Sequence, residues 1–290
     1  MNSPDAWNIL YRGPLSSCNY ACHYCPFAKT SNTAAELQAD KQKLNRFVDW
    51  VSEQSRQNIG ILITPWGEAM IHRSYQAALK KLSHLPNVYR ASIQTNLSGK
   101  LEWLSECNLN TLALWATFHP SQTTLDSFLK QCEILNALGV HYSVGMVGLK
   151  EDLTLFEEMR SRLPDNIYLW ANAYKDVSNY YSDHEIERFV AIDPQFRVNT
   201  INHPSYGRPC NAGHLMFSVD GEGDAYRCHF IKTKIGNLYD GSLVKSLSSS
   251  PQPCTNQTCD CHIGYIHLPH LQQQQVYGDH ILNRSISKHR

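Results

Sequence analysis

The chain has 290 residues, 42% of them hydrophobic, and its 26 Lys and Arg match its 26 Asp and Glu for a formal net charge of +0. Neutrality removes the long-range field that would gather nucleic acid or an anionic membrane surface, and no apolar run approaches the length of a bilayer-spanning helix. The opening Met-Asn-Ser-Pro-Asp-Ala-Trp lacks the basic and apolar regions of a secretory signal, so a reducing, cytoplasmic setting is expected, in which ten cysteines read as metal ligands rather than disulfides.

From residue 7 to 192, short apolar runs alternate with amphipathic stretches, the pattern of repeated βα units around a parallel sheet. Strands are expected at 7–11, 59–64, 88–94, 112–117, 141–147 and 167–172. Between them, Leu37, Leu44, Phe47, Val48 and Val51 fall on one helical face, as do Leu125, Phe128, Leu129, Cys132, Leu135 and Leu138 ahead of Gly139. Six units of about 30 residues fit this stretch. The expected fold is therefore α/β, a partial TIM-type (β/α)6 barrel over 1–192, short of the eight units of a closed barrel. Residues 193–209, broken by Asp-Pro, His-Pro, Tyr-Gly and Arg-Pro, read as a linker. A small cysteine-rich extension follows over 210–261. Within it, Asp-Gly-Glu-Gly at 220–223 signals a β-hairpin that would bring Cys210 and Cys228 together. Residues 262–290 read as a tail.

The most informative feature is Cys18-Asn-Tyr-Ala-Cys22-His-Tyr-Cys25. Three thiolates at C-x3-C-x2-C spacing on one loop suit three irons of a cubane cluster, leaving one iron open. A structural zinc site is the alternative, but it wants a fourth ligand, and His23 lies badly between two cysteines.

This run, with aromatic Tyr24 before the third cysteine, resembles the signature of radical S-adenosylmethionine (radical SAM) enzymes. The resemblance implies that the open iron of a 4Fe-4S cluster chelates SAM, and that one electron splits SAM to a 5′-deoxyadenosyl radical that abstracts hydrogen from substrate. In (β/α) barrels the loops after the strands carry the site. After the second strand, Thr64-Pro-Trp-Gly67-Glu68 is similar to the family's Gly-Gly-Glu-Pro motif for the SAM amino group, with Trp66 and Ala69 departing from it. Gln94-Thr-Asn96 and Thr117 close the next two strands, and Asn96 and Thr117 are implied SAM contacts or strand-end caps. Gly148-Leu-Lys-Glu151 resembles the end of the adenine motif. His119 is a substrate candidate, more often structural at such a position, and the catalytic residue itself is not legible. Trp170, Asn172 and Tyr174 receive no role.

The 210–261 stretch resembles the "twitch" form of the SPASM extension, in which a Gly-x4-Cys hairpin, here Gly223 and Cys228, helps hold an auxiliary 4Fe-4S cluster. Cys210 and Cys228 are implied ligands. Cys254, Cys259 and Cys261 offer three thiolates for two places, and a structural zinc using four cysteines, or three with His262, remains open. Cys107 and Cys132 read as core thiols. The segments Leu10–Cys18 and Cys261-His-Ile-Gly-Tyr resemble a bacterial subfamily, which implies no particular substrate. The functional expectation is an oxidoreductase acting on a small molecule with a flavodoxin- or ferredoxin-type electron donor. The alternative is a peptide maturase working with a separate leader-binding protein, since the short segments outside the barrel and extension leave no room for a leader domain. A non-catalytic zinc protein is the third reading.

Overall fold

The structure, a computed structural model, describes residues 6–27 and 30–286. All six expected strands form: β1 (Trp7–Arg12), β2 (Ile59–Ile63), β3 (Val88–Thr95), β4 (Leu112–Thr117), β5 (His141–Gly148) and β6 (Leu169–Ala173). They are parallel and lie side by side in chain order. The crossovers carry α1 (Ala34–Glu53), α2 (Arg73–His84), α3 (Leu125–Leu138) and α4 (Leu153–Arg162), while a short 3₁₀ turn at Glu102–Glu106 joins β3 to β4.

Local signals explain the boundaries. Thr33 and Glu36 form a reciprocal capping box that starts α1, and Thr124 caps α3, which stops at Gly139 in the left-handed region at φ 73°.

On the far side of β1 the sheet continues. β7 (Met216–Asp220) pairs parallel with β1, placing Ser218 opposite Leu10, whose other neighbour is Leu62 of β2. An antiparallel β8 (Asp224–Tyr226) turns back on β7, followed by β9 (Lys234–Asn237), giving nine strands in the order 9-8-7-1-2-3-4-5-6. The 216–226 hairpin is thus joined to the edge of the sheet at β1.

Strand alternation splits the interior into two cores. Ile9, Tyr11, Ile61, Ile63, Ile93 and Leu114 point to the helices, where Phe47, Leu79 and Leu82 meet them, all at 0% exposure. Each such side chain contributes about 1.5–3 kcal/mol by leaving water. Leu10, Leu62, Trp115 and Trp170 point the other way. The segment 262–286, rather than trailing off as a tail, covers them with Tyr265, Tyr277, Ile281 and Leu282. Arg284 lies in this second core over Trp170, 4.2 Å from the ring centroid. Among the described residues no helix is long and apolar enough to cross a membrane.

Candidate active site

The loop after β1 carries the first cysteines and is tied down before it reaches them. Buried Asp40 of α1 accepts from Leu15 N at 3.2 Å and from the Tyr75 hydroxyl at 3.0 Å. Asn32 Oδ1 accepts from Ser16 N and Ser17 N, both at 2.8 Å. The loop after β2 then zips onto the same backbone: Trp66 N and Gly67 N donate to Leu15 O at 3.0 and 3.2 Å, and Glu68 N donates to Ser17 O at 3.1 Å. Gly67 is required by this approach, because a Cβ there would stand 1.9 Å from Ser17 O.

Glu68 joins this pair of loops to the end of β3. Its carboxylate accepts from Asn96 N at 2.7 Å, Thr95 Oγ1 at 2.8 Å and Met70 N at 3.0 Å. Burial pushes its pKa up to about 7 against the pull of those three donors. Asn96 reaches back across the gap, its Nδ2 lying 3.1 Å from Asn19 Oδ1 and 3.9 Å from Cys18 Sγ.

These residues wall one side of a cavity of ≈ 310 Å³, which Cys18, Cys22, Cys25, Gly67, Glu68 and Asn96 line together with Thr117 of β4. Tyr24 packs beside it, its hydroxyl 2.9 Å from His119 Nδ1 with the two rings stacked. Burial lowers the His119 pKa to about 4, so the ring is neutral at physiological pH. Gly148 stands apart from the cavity lining, and its carbonyl accepts from the Tyr181 hydroxyl. Burial raises the Cys18 and Cys22 thiols above their ordinary pKa.

A second cavity of ≈ 210 Å³ is lined by Cys210, Cys228, Cys254 and Cys259. Arg227 clamps its two arms, donating to Ala212 O at 3.1 Å on one and to Gln252 O and Pro253 O at 3.1 and 3.0 Å on the other. Gly264 gives the Cys259 sulfur its space, since a Cβ there would lie 2.6 Å from Sγ. Burial, reinforced by the neighbouring thiols, pushes Cys228 up to about 12 and raises Cys210 and Cys259 as well. Thiols gathered in this way are stable together as thiolates only around a positive centre, so the donor set fits a metal group. Among the described residues no three His, Cys, Asp or Glu side chains converge on a single bare ion.

Cys261 departs from the other extension cysteines. It lines the first cavity, among Arg12, His262 and Arg284. The sequence reading marked neither Arg12 nor Arg284. The period-2 alternation of β1 carried the signal for Arg12, two residues beyond inward-facing Leu10, whereas Arg284 had none.

No protein-family model matches the sequence, and no curated protein sequence does. Solved structures match in fold. One is anSMEcpe with bound AdoMet and the Kp18Cys peptide, at TM-score 0.57 and 14% identity over 84% of this chain and 81% of that one. Another is SuiB of Streptococcus suis, at TM-score 0.53 and 15% identity over 84% and 66%. These neighbours are radical SAM enzymes. The chain has the radical SAM fold. A histidine-tagged form of anSMEcpe with bound AdoMet agrees, at TM-score 0.55 and 15% identity over 84% of this chain and 80% of that one. At such identities the likeness is one of architecture, and the residues must argue the chemistry.

Proposed function

We propose that this chain is a radical SAM enzyme whose core carries a (β/α)6 partial barrel and whose substrate is a small molecule. The observation that carries the reading is the single cavity wall on which Cys18, Cys22 and Cys25 meet Gly67, Glu68, Asn96 and Thr117. When bound, a four-iron cluster and SAM supply a one-electron cleavage that yields a hydrogen-abstracting radical. The three cysteines would hold the cluster, with the Tyr24–His119 pair bracing their loop. Glu68 ties the loop after β2 to the end of β3 through its three accepted hydrogen bonds and to the loop after β1 through its N–H, which donates to Ser17 O, and the pocket these loops form is where the SAM amino acid end would sit. Met146 and Val147, the β5 residues that line the cavity, would meet the adenine end in place of Gly148.

In this reading Cys210, Cys228, Cys254 and Cys259 hold an auxiliary 4Fe-4S cluster, supported by a cavity far larger than one ion fills. That cluster would accept an electron from substrate or position it, making the enzyme an oxidoreductase. A flavodoxin- or ferredoxin-type donor would supply the reducing electron, in the cytoplasm, where iron and sulfur are protected from oxygen. A peptide substrate is the second reading, favoured by anSMEcpe having been solved with a peptide bound.

The test is iron, sulfide and zinc per chain after anaerobic reconstitution, together with 5′-deoxyadenosine release under reductant. The wild type is expected to hold about eight irons, falling to about four in the triple Cys18/Cys22/Cys25→Ala variant, which releases no 5′-deoxyadenosine. Zinc in the first site, or unchanged cleavage by the variant, would overturn the reading.

A further inference from the structure

The first cavity has more hydrogen-bond donors than its own walls use. Arg12, the last residue of β1, lies over the Trp66 ring at 4.1 Å and near Phe27 at 5.8 Å, while its Nε and Nη1 are buried with no hydrogen-bond partner. The acidic groups that act on it are thiols, Cys261 and Cys228, and no carboxylate is among them. Arg284 enters the same cavity from the C-terminal segment. It is 1% exposed, and its Nε is unpartnered, while Nη2 makes one long bond of 3.4 Å to Ala171 O. The buried carboxylate that acts on it, Asp193, is committed to Tyr168, Ala171 and Gln195 at 2.5, 3.1 and 2.9 Å. Trp115 Nε1 and His262 Nε2, on the same cavity wall, are buried and open too. Glu68, the carboxylate on the cavity wall, has its oxygens engaged by Thr95, Asn96 and Met70.

Two buried guanidiniums, an indole N–H and an imidazole therefore face one space in which Arg12 has no carboxylate partner, while Asp193, the carboxylate that acts on Arg284, has its oxygens taken by Tyr168, Ala171 and Gln195. Guanidinium forks match carboxylate and phosphate oxygens in two parallel hydrogen bonds, and such charge-assisted bonds are strongest where water is excluded. We propose that the substrate carries an anionic group, a carboxylate or a phosphate, which seats between Arg12 and Arg284 with Trp115 and His262 as further polar contacts. This deepens the functional reading above and rests on it for the reaction, though not for the binding itself. The indole rings of Trp66, Trp115 and Trp170 around these cations give the rest of the substrate an apolar surface.

The experiment titrates anaerobically reconstituted full-length protein calorimetrically with sodium acetate, with inorganic phosphate and with SAM, each at one fixed ionic strength. The variants are Arg12→Gln, Arg12→Lys and Arg284→Gln. The expected result is that one anion binds the wild type and weakens by at least about tenfold in Arg12→Gln. Affinity for SAM should stay within about twofold, and Arg12→Lys should restore part of the anion binding. The anion bound more tightly identifies the substrate group as planar carboxylate or tetrahedral phosphate. No binding of either anion by the wild type, or unchanged binding in Arg12→Gln, overturns the proposal even if Arg284→Gln fails to fold. Equal loss of SAM and anion also overturns it, since the guanidiniums would then serve the SAM carboxylate. Anion binding that follows this pattern in a protein unable to cleave SAM would leave the anion site standing and sink the radical SAM reading alone.

Discussion

Replacing Gly67 with Ala tests whether the first cysteine loop depends on the strap that follows β2. The new Cβ would stand 1.9, 2.6 and 2.9 Å from Ser17 O, C and N, all backbone atoms with no rotamer to yield. The two loops must part, and the bonds from Trp66 N, Gly67 N and Glu68 N to Leu15 O and Ser17 O are the ones that break. Three backbone hydrogen bonds at about 0.5–1.5 kcal/mol each amount to about 1.5–4.5 kcal/mol. For a chain of this size that lowers Tm by about 2–7 °C. Because Ser17 directly precedes Cys18, the same displacement should lose the iron proposed for the first cysteine set while sparing that proposed for the second. Differential scanning calorimetry of the cluster-free protein, with iron per chain after reconstitution, reads both effects. A Tm within about 1 °C of wild type with full iron retention would refute the reasoning, since it would mean that the loops separate without cost.

Three further outcomes are expected. Cys254→Ala should lose the iron of the second site, whereas Cys261→Ala should keep all of it, since Cys261 faces the other cavity; equal loss in both, by iron analysis, would reverse that assignment. Glu68 has a folded pKa raised from 4.5 to about 7, so the folded state holds a proton that the unfolded state releases, and this group's contribution to stability falls as pH rises through that window. Glu68→Gln should therefore gain stability relative to wild type between those two pH values, and a flat difference between denaturation curves would contradict the assignment. Tyr265→Phe removes the 2.7 Å bond from Asn199 Nδ2, whose Oδ1 anchors Ala173 N at the end of β6. It should cost about 1–3 kcal/mol in urea unfolding, because a buried donor is left unsatisfied.

The strands were legible because each is a short apolar run bounded by turn residues, and observed ends such as Arg12, Thr95 and Gly148 extend the expected ones by one residue. The cysteine loop was legible because its three cysteines lie within eight residues of one another. What could not be read was carried by long-range contacts. Met216–Asp220 looked like half of a hairpin, and nothing local in it reveals that its other edge pairs with β1. The 262–290 stretch, polar and glutamine-rich at 272–275, read as a tail, yet Tyr265, Tyr277, Ile281 and Leu282 cover the second face of the sheet. Cys259 and Cys261 differ by only two positions, yet Cys259, bridged to His203, lines the second cavity and Cys261 the first. Glu68 was picked out for its position after β2, but its engagement with Thr95 and Asn96 depends on a neighbouring strand that no motif encodes.

The place of β1 between β2 and β7 has a consequence for how the molecule is made. Leu10 meets Leu62 early in synthesis, but its other neighbour, Ser218, emerges only after roughly ten to thirty seconds more at ordinary elongation rates. For that interval β1 is an open strand edge on the nascent chain, a template for pairing with the wrong partner. The first cysteine loop and its clasps at Glu68 and Asn96 lie wholly within the early part, whereas the second cysteine set and Arg284 arrive last. The two cysteine sets thus become available in succession, and the first cavity is walled in only once the segment carrying Arg284 has folded across the sheet.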